Sequence, residues 1–317
     1  MSSSTVFDEK STYLAMNVMI IVYLLLAFLH AYSMILGRYH RSPRQSLCDL
    51  RVRKTRTFGA SFGSLCISQS IANCGNAATF GFLVTTITLV DPTLHETYWG
   101  ARCGQLLIFF WNGDLFTHVF ATFNRLCCIL FPAKYSLYFC KRNTSVAIGL
   151  IWTVAFLQAV PYFHYDCTLY FDLKSLSFQF RVTPCLPYVA LYFDFYLNLV
   201  IVSIISLTDL FTLYKIRNMA VDSTLNTEAK KRKRTRDVRF FLQTFSQAAI
   251  VVTELVFYFY ISNLVENKWA KFFMTTFAWI LLQMMDGVIV IAFNKELRRV
   301  TLQGGSSVIT ATSHYSK

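Results

Sequence analysis

The stretch CGQLLIFFWNGDLFTHVFATFNRLCCILFP, from Cys103 to Pro132, decides the fold. It contains one acidic and one basic residue, Asp114 and Arg125, and is otherwise dominated by apolar side chains. Cys103 and Arg125 are 22 positions apart, which corresponds to about 33 Å of α-helix at ~1.5 Å per residue. A bilayer core is about 30 Å thick. The stretch therefore predicts a transmembrane helix with Cys103 at one membrane surface and Arg125 at the other.

Six further apolar stretches approach the same length, and the chain is unlike a soluble protein in composition. Of its 317 residues, 55% are hydrophobic and only 15% are charged, whereas soluble domains carry roughly 25% charged residues. We predict an all-α integral membrane protein: one seven-helix transmembrane domain over residues 1–317, with 294–317 as a cytoplasmic tail. The stretches, named spans 1 to 7, are residues 13–36, 60–90, 103–123, 144–163, 187–213, 240–261 and 272–293.

The distribution of basic residues predicts the orientation of the bundle. The segments after spans 1, 3, 5 and 7 hold 24 of the 30 Lys and Arg residues, and the opposite side holds the remaining 6. Cytoplasmic loops are enriched in Lys and Arg, so the N-terminus is predicted to lie outside. This arrangement resembles a rhodopsin-like G-protein-coupled receptor. The net charge of +13 does not predict a nucleic-acid partner, because the basic residues fall in short clusters between the spans.

Three cysteines are predicted to lie on the outer side. Cys103 begins span 3, and Cys167 and Cys185 lie in the loop after span 4. Cysteines that face an oxidising compartment are usually paired. We expect a disulfide from Cys103 to Cys185, which is close to the start of span 5, with Cys167 as the alternative partner. Sequence alone does not fix the connectivity.

The inner end of span 3 carries the triplet Asn124-Arg125-Leu126. Rhodopsin-like receptors have an acidic residue, Arg and an aromatic residue at this place, and their Arg meets the G protein. Here the acidic partner within the triplet is missing. Asn124 and Arg125 are candidate coupling residues, although an Arg that only anchors the helix at the lipid headgroups fits the pattern equally well.

Polar residues recur inside the spans at helical spacing. Steps of 3, 4, 7, 8 and 11 residues keep side chains on one helix face, and charged groups within a membrane normally face the bundle interior. Two interpretations stay open: these residues hold helices together by hydrogen bonds, or some of them line a ligand pocket. The pocket candidates are Asp114, His118, Asp194, Asn198 and Glu254. The candidates for a conformational switch in span 7 and at its end are Asp286 and Asn294.

Five motifs, in a fixed order along the chain, make the resemblance to a receptor family more specific. The set comprises SFGSLCISQSIAN (61–73), NRLCCILFPAKY (124–135), PYFHYDC (161–167), the pair Asp194 and Asn198 followed by LTDL (207–210), and WILLQMMDGVIVIAFNKELRR (279–299). Together these motifs resemble the nematode serpentine receptor class X family of chemoreceptors. The resemblance implies a multi-pass plasma-membrane receptor of sensory-neuron cilia that couples to a heterotrimeric G protein.

The sequence thus favours a chemosensory receptor that binds an extracellular small molecule, activates a heterotrimeric G protein and performs no chemistry on its ligand. The alternative is a ligand-gated cation channel of the insect odorant-receptor type, whose N-terminus lies inside; the charge distribution argues against it. The metalloprotease motif HExxH is absent from the sequence, and we predict no enzyme activity, no cofactor and no metal site.

Overall fold

A computed structural model describes residues 12–14, 17–18, 53–221 and 227–293. Most of these residues are helical. Span 1 lies largely outside the described residues; within it, the ring of Tyr13 packs against the main apolar core of the bundle.

Five helices in the described part of the chain are long and apolar enough to cross a membrane, and they correspond to spans 2 to 6. Their membrane-compatible segments are Ser61–Val90, Arg102–Leu130, Lys141–Phe163, Pro187–Lys215 and Phe245–Leu264. Span 7 forms the α-helices Lys268–Phe272 and Ala278–Phe293, joined by a π-helix at Phe273–Phe277. Span 2 has the same composite character, with α-helices Arg53–Ala78 and Thr85–Val90 around a π-helix at Thr79–Val84.

The remaining helices extend beyond the apolar stretches. Span 3 lies in Arg102–Leu130, and span 4 forms Lys141–Ala159 followed by a 3₁₀ turn at Val160–Phe163. Span 5 begins as a π-helix, Pro187–Tyr196, and continues as the α-helix Leu197–Val221. The helix of span 6 is Thr227–Phe259 and starts well before the apolar residues. Its first turns are rich in Lys and Arg, which are good helix formers.

Proline sets the ends of two helices. The helix of span 2 ends at Val90 because Asp91 precedes Pro92, and a residue before proline is disfavoured in the α region. Asp91 is extended, and its carboxylate accepts a hydrogen bond from the Thr93 amide at 3.1 Å. Span 3 ends in the same way, since Phe131 precedes Pro132 and has left the helical region.

Span 3 is the central helix and packs against spans 2, 4 and 5. Small residues allow the close approach: a Cβ atom on Gly75 would overlap the ring of Phe110, and one on Gly113 would meet the ring of Trp152. The Ser68 hydroxyl is 3.2 Å from that of Thr117 and accepts a hydrogen bond from the Trp152 indole at 3.1 Å. Small residues and interhelical hydrogen bonds are the usual means of packing helices in lipid.

A β-hairpin in the loop after span 4 adds to this helical architecture. Strand β1, Leu169–Asp172, pairs antiparallel with strand β2, Ser177–Phe180, and Phe171 lies opposite Phe178. The Asp172 carboxylate closes the turn by accepting from the amides of Lys174 and Ser175 at 3.2 and 3.0 Å. Directly opposed residues of an antiparallel pair share one face of the sheet, and both phenylalanine rings are buried in the main apolar core of the bundle.

The hairpin is fastened across one end of the bundle, here called the hairpin end. The Tyr258 hydroxyl of span 6 donates to the Phe178 carbonyl at 2.8 Å, and the Thr276 hydroxyl of span 7 donates to the Leu176 carbonyl at 2.9 Å. Span 3 approaches so closely that a Cβ atom on Gly104 would overlap the carbonyl oxygen of Leu169. Spans 3, 6 and 7 therefore all touch the hairpin.

Candidate functional site

Spans 3, 5, 6 and 7 surround a cavity in the middle of the bundle, here called the central cavity. Together with its opening it comprises about 530 Å³. Asp114 and His118, one helical turn apart on span 3, line it together with Gln247 of span 6. Most of the remaining wall is aliphatic, including Val202 and Ile205 of span 5. The structure thus brings two sequence-predicted pocket residues to the same cavity.

A second cavity lies next to the first, toward the hairpin, and is here called the hairpin-end cavity. It comprises about 270 Å³ with its opening. Trp111 of span 3 lines both cavities, so they adjoin at this ring. The predicted pocket residues Asp194 and Glu254 both line the hairpin-end cavity, together with Leu255, Tyr258, Phe259 and Trp279.

Asp194 lies in the π-helical start of span 5. Asn198, the second residue of the following α-helix, donates through its Nδ2 to the Asp194 carboxylate at 3.1 Å and also to the Asp194 carbonyl. Asn198 does not itself line either cavity, so it orients Asp194 instead of facing the pocket. In the part of the chain that the structure describes, all three π-helices lie in the halves of spans 2, 5 and 7 nearest the hairpin. Such helices are frequent at functional sites.

Trp279 lines the hairpin-end cavity and contacts aromatic rings of two other spans and of the hairpin. Its ring lies 5.9 Å from Trp111 and 6.2 Å from Tyr258, both in edge-to-face geometry. The ring of Phe178 on strand β2 is 6.3 Å away. Sequence reasoning missed Trp111, Tyr258 and Trp279. Helical phase offered a signal, because Tyr258 is four positions from Glu254 and Trp111 three from Asp114, spacings that share a helix face.

At the opposite end of the bundle, Arg125 forms an ion pair between spans 3 and 5. Its guanidinium nitrogen lies 3.2 Å from the Asp209 carboxylate and donates to the Thr122 hydroxyl at 2.8 Å. The side chains of Arg125 and Asp209 are only 11% and 8% exposed. The acidic partner that the triplet lacks is therefore supplied by another helix. This geometry differs from that of an Arg that merely reaches the headgroups.

Asn124 is fully buried and accepts a hydrogen bond from the Tyr135 hydroxyl at 2.6 Å. Burial of the phenol is the main cause that raises the pKa of Tyr135. Tyr135 stacks on Phe139 at 5.1 Å, whose carbonyl accepts from the Ser61 hydroxyl of span 2 at 2.6 Å. Asn124 thus fixes the loop after span 3 against the bundle.

The model of the family described as "Serpentine type 7TM GPCR chemoreceptor Srx" matches residues 46–294, well over half of the chain. The chain belongs to the serpentine receptor class X family. Among its relatives are serpentine receptor class X 45 of Caenorhabditis elegans, 29% identical over 266 residues, and serpentine receptor class X-43 of the same organism, 28% identical over 250 residues. These alignments cover 78% and 75% of this chain and 74% and 75% of the relatives.

Membership of this class X receptor family confirms the resemblance drawn from the motifs and the seven-transmembrane, helical fold class. The family is one of receptors. The predicted outside position of the N-terminus stays a prediction.

The class X receptor has a different disulfide from the expected one. Cys167 is bonded to Cys185, with their Cα atoms 5.3 Å apart, and Cys103 is a free, buried thiol. The expected bond from Cys103 to Cys185 is therefore wrong, as is the alternative from Cys103 to Cys167. The hairpin explains the pairing: antiparallel strands bring the residues before β1 and after β2 side by side, and the Arg181 amide extends the pairing by donating to the Thr168 carbonyl at 3.1 Å.

The two candidate switch residues of span 7 and its end lie outside the part of the receptor whose side chains the structure describes. Asp286 lies on the helix Ala278–Phe293, but its side chain is outside the described part. Asn294 lies outside the described residues. Among the described residues, no group of three or more His, Cys, Asp or Glu side chains has the arrangement of a metal site.

Proposed function

We propose that this class X receptor binds an extracellular small molecule in its two adjoining cavities and activates a heterotrimeric G protein. The observation that carries the proposal is the convergence of acidic and aromatic side chains from spans 3, 5, 6 and 7 on internal cavities. Polar groups at such depth are costly and are typical of functional sites. The proposed place of action is the plasma membrane, in sensory cilia.

The Arg125–Asp209 ion pair supports the second part of the proposal, the activation of a G protein. It joins spans 3 and 5 at the end opposite the cavities, where the sequence predicts the cytoplasm. A ligand shifts a receptor toward activity only if it binds one conformation better than another. The ion pair stabilises the conformation seen here, so its rupture favours any conformation in which the spans separate and expose Arg125 to the G protein.

Replacement of Asp209 tests this function without a known ligand. The receptor is co-expressed with Gα subunits of each class, and guanine-nucleotide exchange is measured without agonist. We expect Asp209→Asn to raise basal exchange on at least one Gα roughly fivefold or more, a typical size for allosteric coupling. The matched control is Asp166→Asn, at an exposed acid outside the spans, which leaves exchange unchanged at equal surface expression.

Two results contradict the proposal. One is the absence of exchange on every Gα for both the natural receptor and Asp209→Asn. The other is a cation current that follows expression of the receptor in cells lacking Gα subunits, which favours the channel alternative.

A further inference from the structure

We propose that the hairpin-end cavity recognises a ligand that carries a protonated amine, held by the carboxylates of Asp194 and Glu254. This inference rests on the proposed receptor function and names the ligand class for the same site.

The two carboxylates share one cavity that lacks a cationic side chain. Both Asp194 and Glu254 line it, and Glu254 is only 7% exposed. Among the residues whose side chains the structure describes, no basic side chain forms an ion pair with either of them. His118 lines the central cavity instead. Buried charges normally occur with a partner of opposite sign, and a cationic ligand is the partner that this cavity can accept.

The aromatic wall favours the same ligand. Four of the seven lining residues are aromatic: Trp111, Tyr258, Phe259 and Trp279. Ammonium groups bind to the faces of Trp and Tyr rings, and the attraction grows when water is excluded. The carboxylates repel an anionic ligand, and the aromatic rings attract a cation. Both features therefore favour a cationic ligand.

A buried donor supplies a further criterion for the ligand. The indole Nε1 of Trp279 is buried and has no hydrogen-bond partner within the described part of the protein. Trp279 is 6% exposed and lines the cavity. A buried donor without a partner is unfavourable, so a ligand gains affinity by placing an acceptor oxygen or an electron-rich ring against it.

The neighbouring central cavity indicates how the bound ligand is oriented. Its wall is largely aliphatic, and it meets the hairpin-end cavity at Trp111. An amine between Asp194 and Glu254 therefore leaves the apolar remainder of the molecule free to extend past Trp111 into the middle of the bundle. The structure assigns an amphiphilic amine, with its charge toward the hairpin.

Matched pairs of small molecules test the assignment. The probes are tryptamine and phenethylamine, each with the neutral alcohol of the same carbon skeleton, added to the full-length receptor purified in detergent. Affinity is measured by the ligand-dependent rise of the melting temperature and by calorimetry. We expect both amines to bind at millimolar concentration or below and to bind at least roughly tenfold more tightly than the alcohols.

Two substitutions locate the effect. Glu254→Gln and Asp194→Asn remove one charge each with little change in volume, and each is expected to weaken amine binding roughly tenfold or more while leaving the alcohols unaffected. Glu266→Gln, at an exposed acid outside the cavities, is the control and leaves amine affinity unchanged. Size-exclusion chromatography confirms folding, and two separate variants keep the test valid if one of them fails to fold.

Three results overturn the amine assignment: equal binding of amines and alcohols, amine affinity that survives both substitutions, and no amine binding at millimolar concentration. None of them affects the basal exchange of Asp209→Asn, so failure of the ligand class is distinguishable from failure of the receptor function. Conversely, amine binding without exchange on any Gα supports the assignment and contradicts the receptor function.

Discussion

His95 shows how burial alone fixes the charge of a side chain. It lies in the short 3₁₀-helix Pro92–Glu96 between spans 2 and 3 and is 0% exposed. Its Nε2 is 2.8 Å from the Thr88 hydroxyl, and its ring packs on Phe171 of strand β1 at 5.1 Å. Desolvation lowers the pKa of His95 to about 4. The neutral ring therefore joins the end of span 2 nearest the hairpin to the hairpin itself.

Acidification is expected to destabilise this contact. An unfolded histidine has a pKa near 6.5, so between pH ~6.5 and ~4 the unfolded chain binds a proton that the folded chain does not. The stability contributed by His95 is complete above that window and falls by up to about 3 kcal/mol across it. We expect the melting temperature of the receptor to drop over this range more steeply than that of His95→Gln, which keeps a hydrogen-bonding side chain. Parallel pH curves would show that His95 has no such role.

For Arg125 and Asp209, the sequence allowed their positions along the spans to be predicted but not their ion pair. Periodicity placed each of them at the inner end of its span, and the missing acid of the triplet was visible in Asn124. Their ion pair was not predictable, because it requires spans 3 and 5 to be neighbours and these two ends to lie at one depth. Spacing along one helix carries no information about which other helix faces it.

At the scale of elements, the β-hairpin is the feature that apolar periodicity overlooked. Its strands have four residues each, too short to give a distinct alternating pattern beside much longer helices. The same omission led to the wrong disulfide, since the hairpin brings Cys167 next to Cys185. The acids of the cavities were found from sequence because they interrupt apolar helices; the aromatic residues beside them were not, because they match the composition of the spans.

The disulfide assignment gives a prediction for this element. Peptide mapping without reduction, after the free thiols have been alkylated in denaturant, is expected to recover Cys167 linked to Cys185 and Cys103 as an alkylated thiol. Joint replacement of Cys167 and Cys185 by Ser is expected to cost about 3 kcal/mol, since the bond closes a loop with a sequence separation of 18 residues. A peptide that links Cys103 to either loop cysteine would contradict the assignment.

At the scale of the whole molecule, the helical membrane architecture was predictable because lipid imposes it. Backbone polar groups in a bilayer must be satisfied within the helix, so length and hydropathy suffice to locate spans. The large apolar side chains that remain exposed, such as Leu150 and Leu157 of span 4, fit lipid-facing positions. Orientation depends instead on the asymmetry of charge between the two sides, and the fold itself is compatible with either direction of insertion.

Orientation is tested by one epitope before Tyr13 and another after Lys317 in the same receptor. The 24-to-6 distribution of Lys and Arg predicts that intact cells are stained only through the N-terminal epitope and permeabilised cells through both. Staining of intact cells only through the C-terminal epitope would reverse the topology. It would also place the hairpin in the cytoplasm and exclude the proposed coupling surface at Arg125.

The hairpin also governs how fast the receptor can respond. Because spans 6 and 7 are hydrogen-bonded to it through Tyr258 and Thr276, we expect a molecule that enters between these spans at the hairpin end to require those contacts to open. Association by that route is expected to be limited by the frequency of opening and to fall below the usual range of about 10⁵–10⁷ M⁻¹s⁻¹. The same barrier retards escape. We therefore expect the proposed ligand to bind slowly and to stay bound for long. These properties suit the detection of scarce, lasting cues better than the tracking of brief pulses.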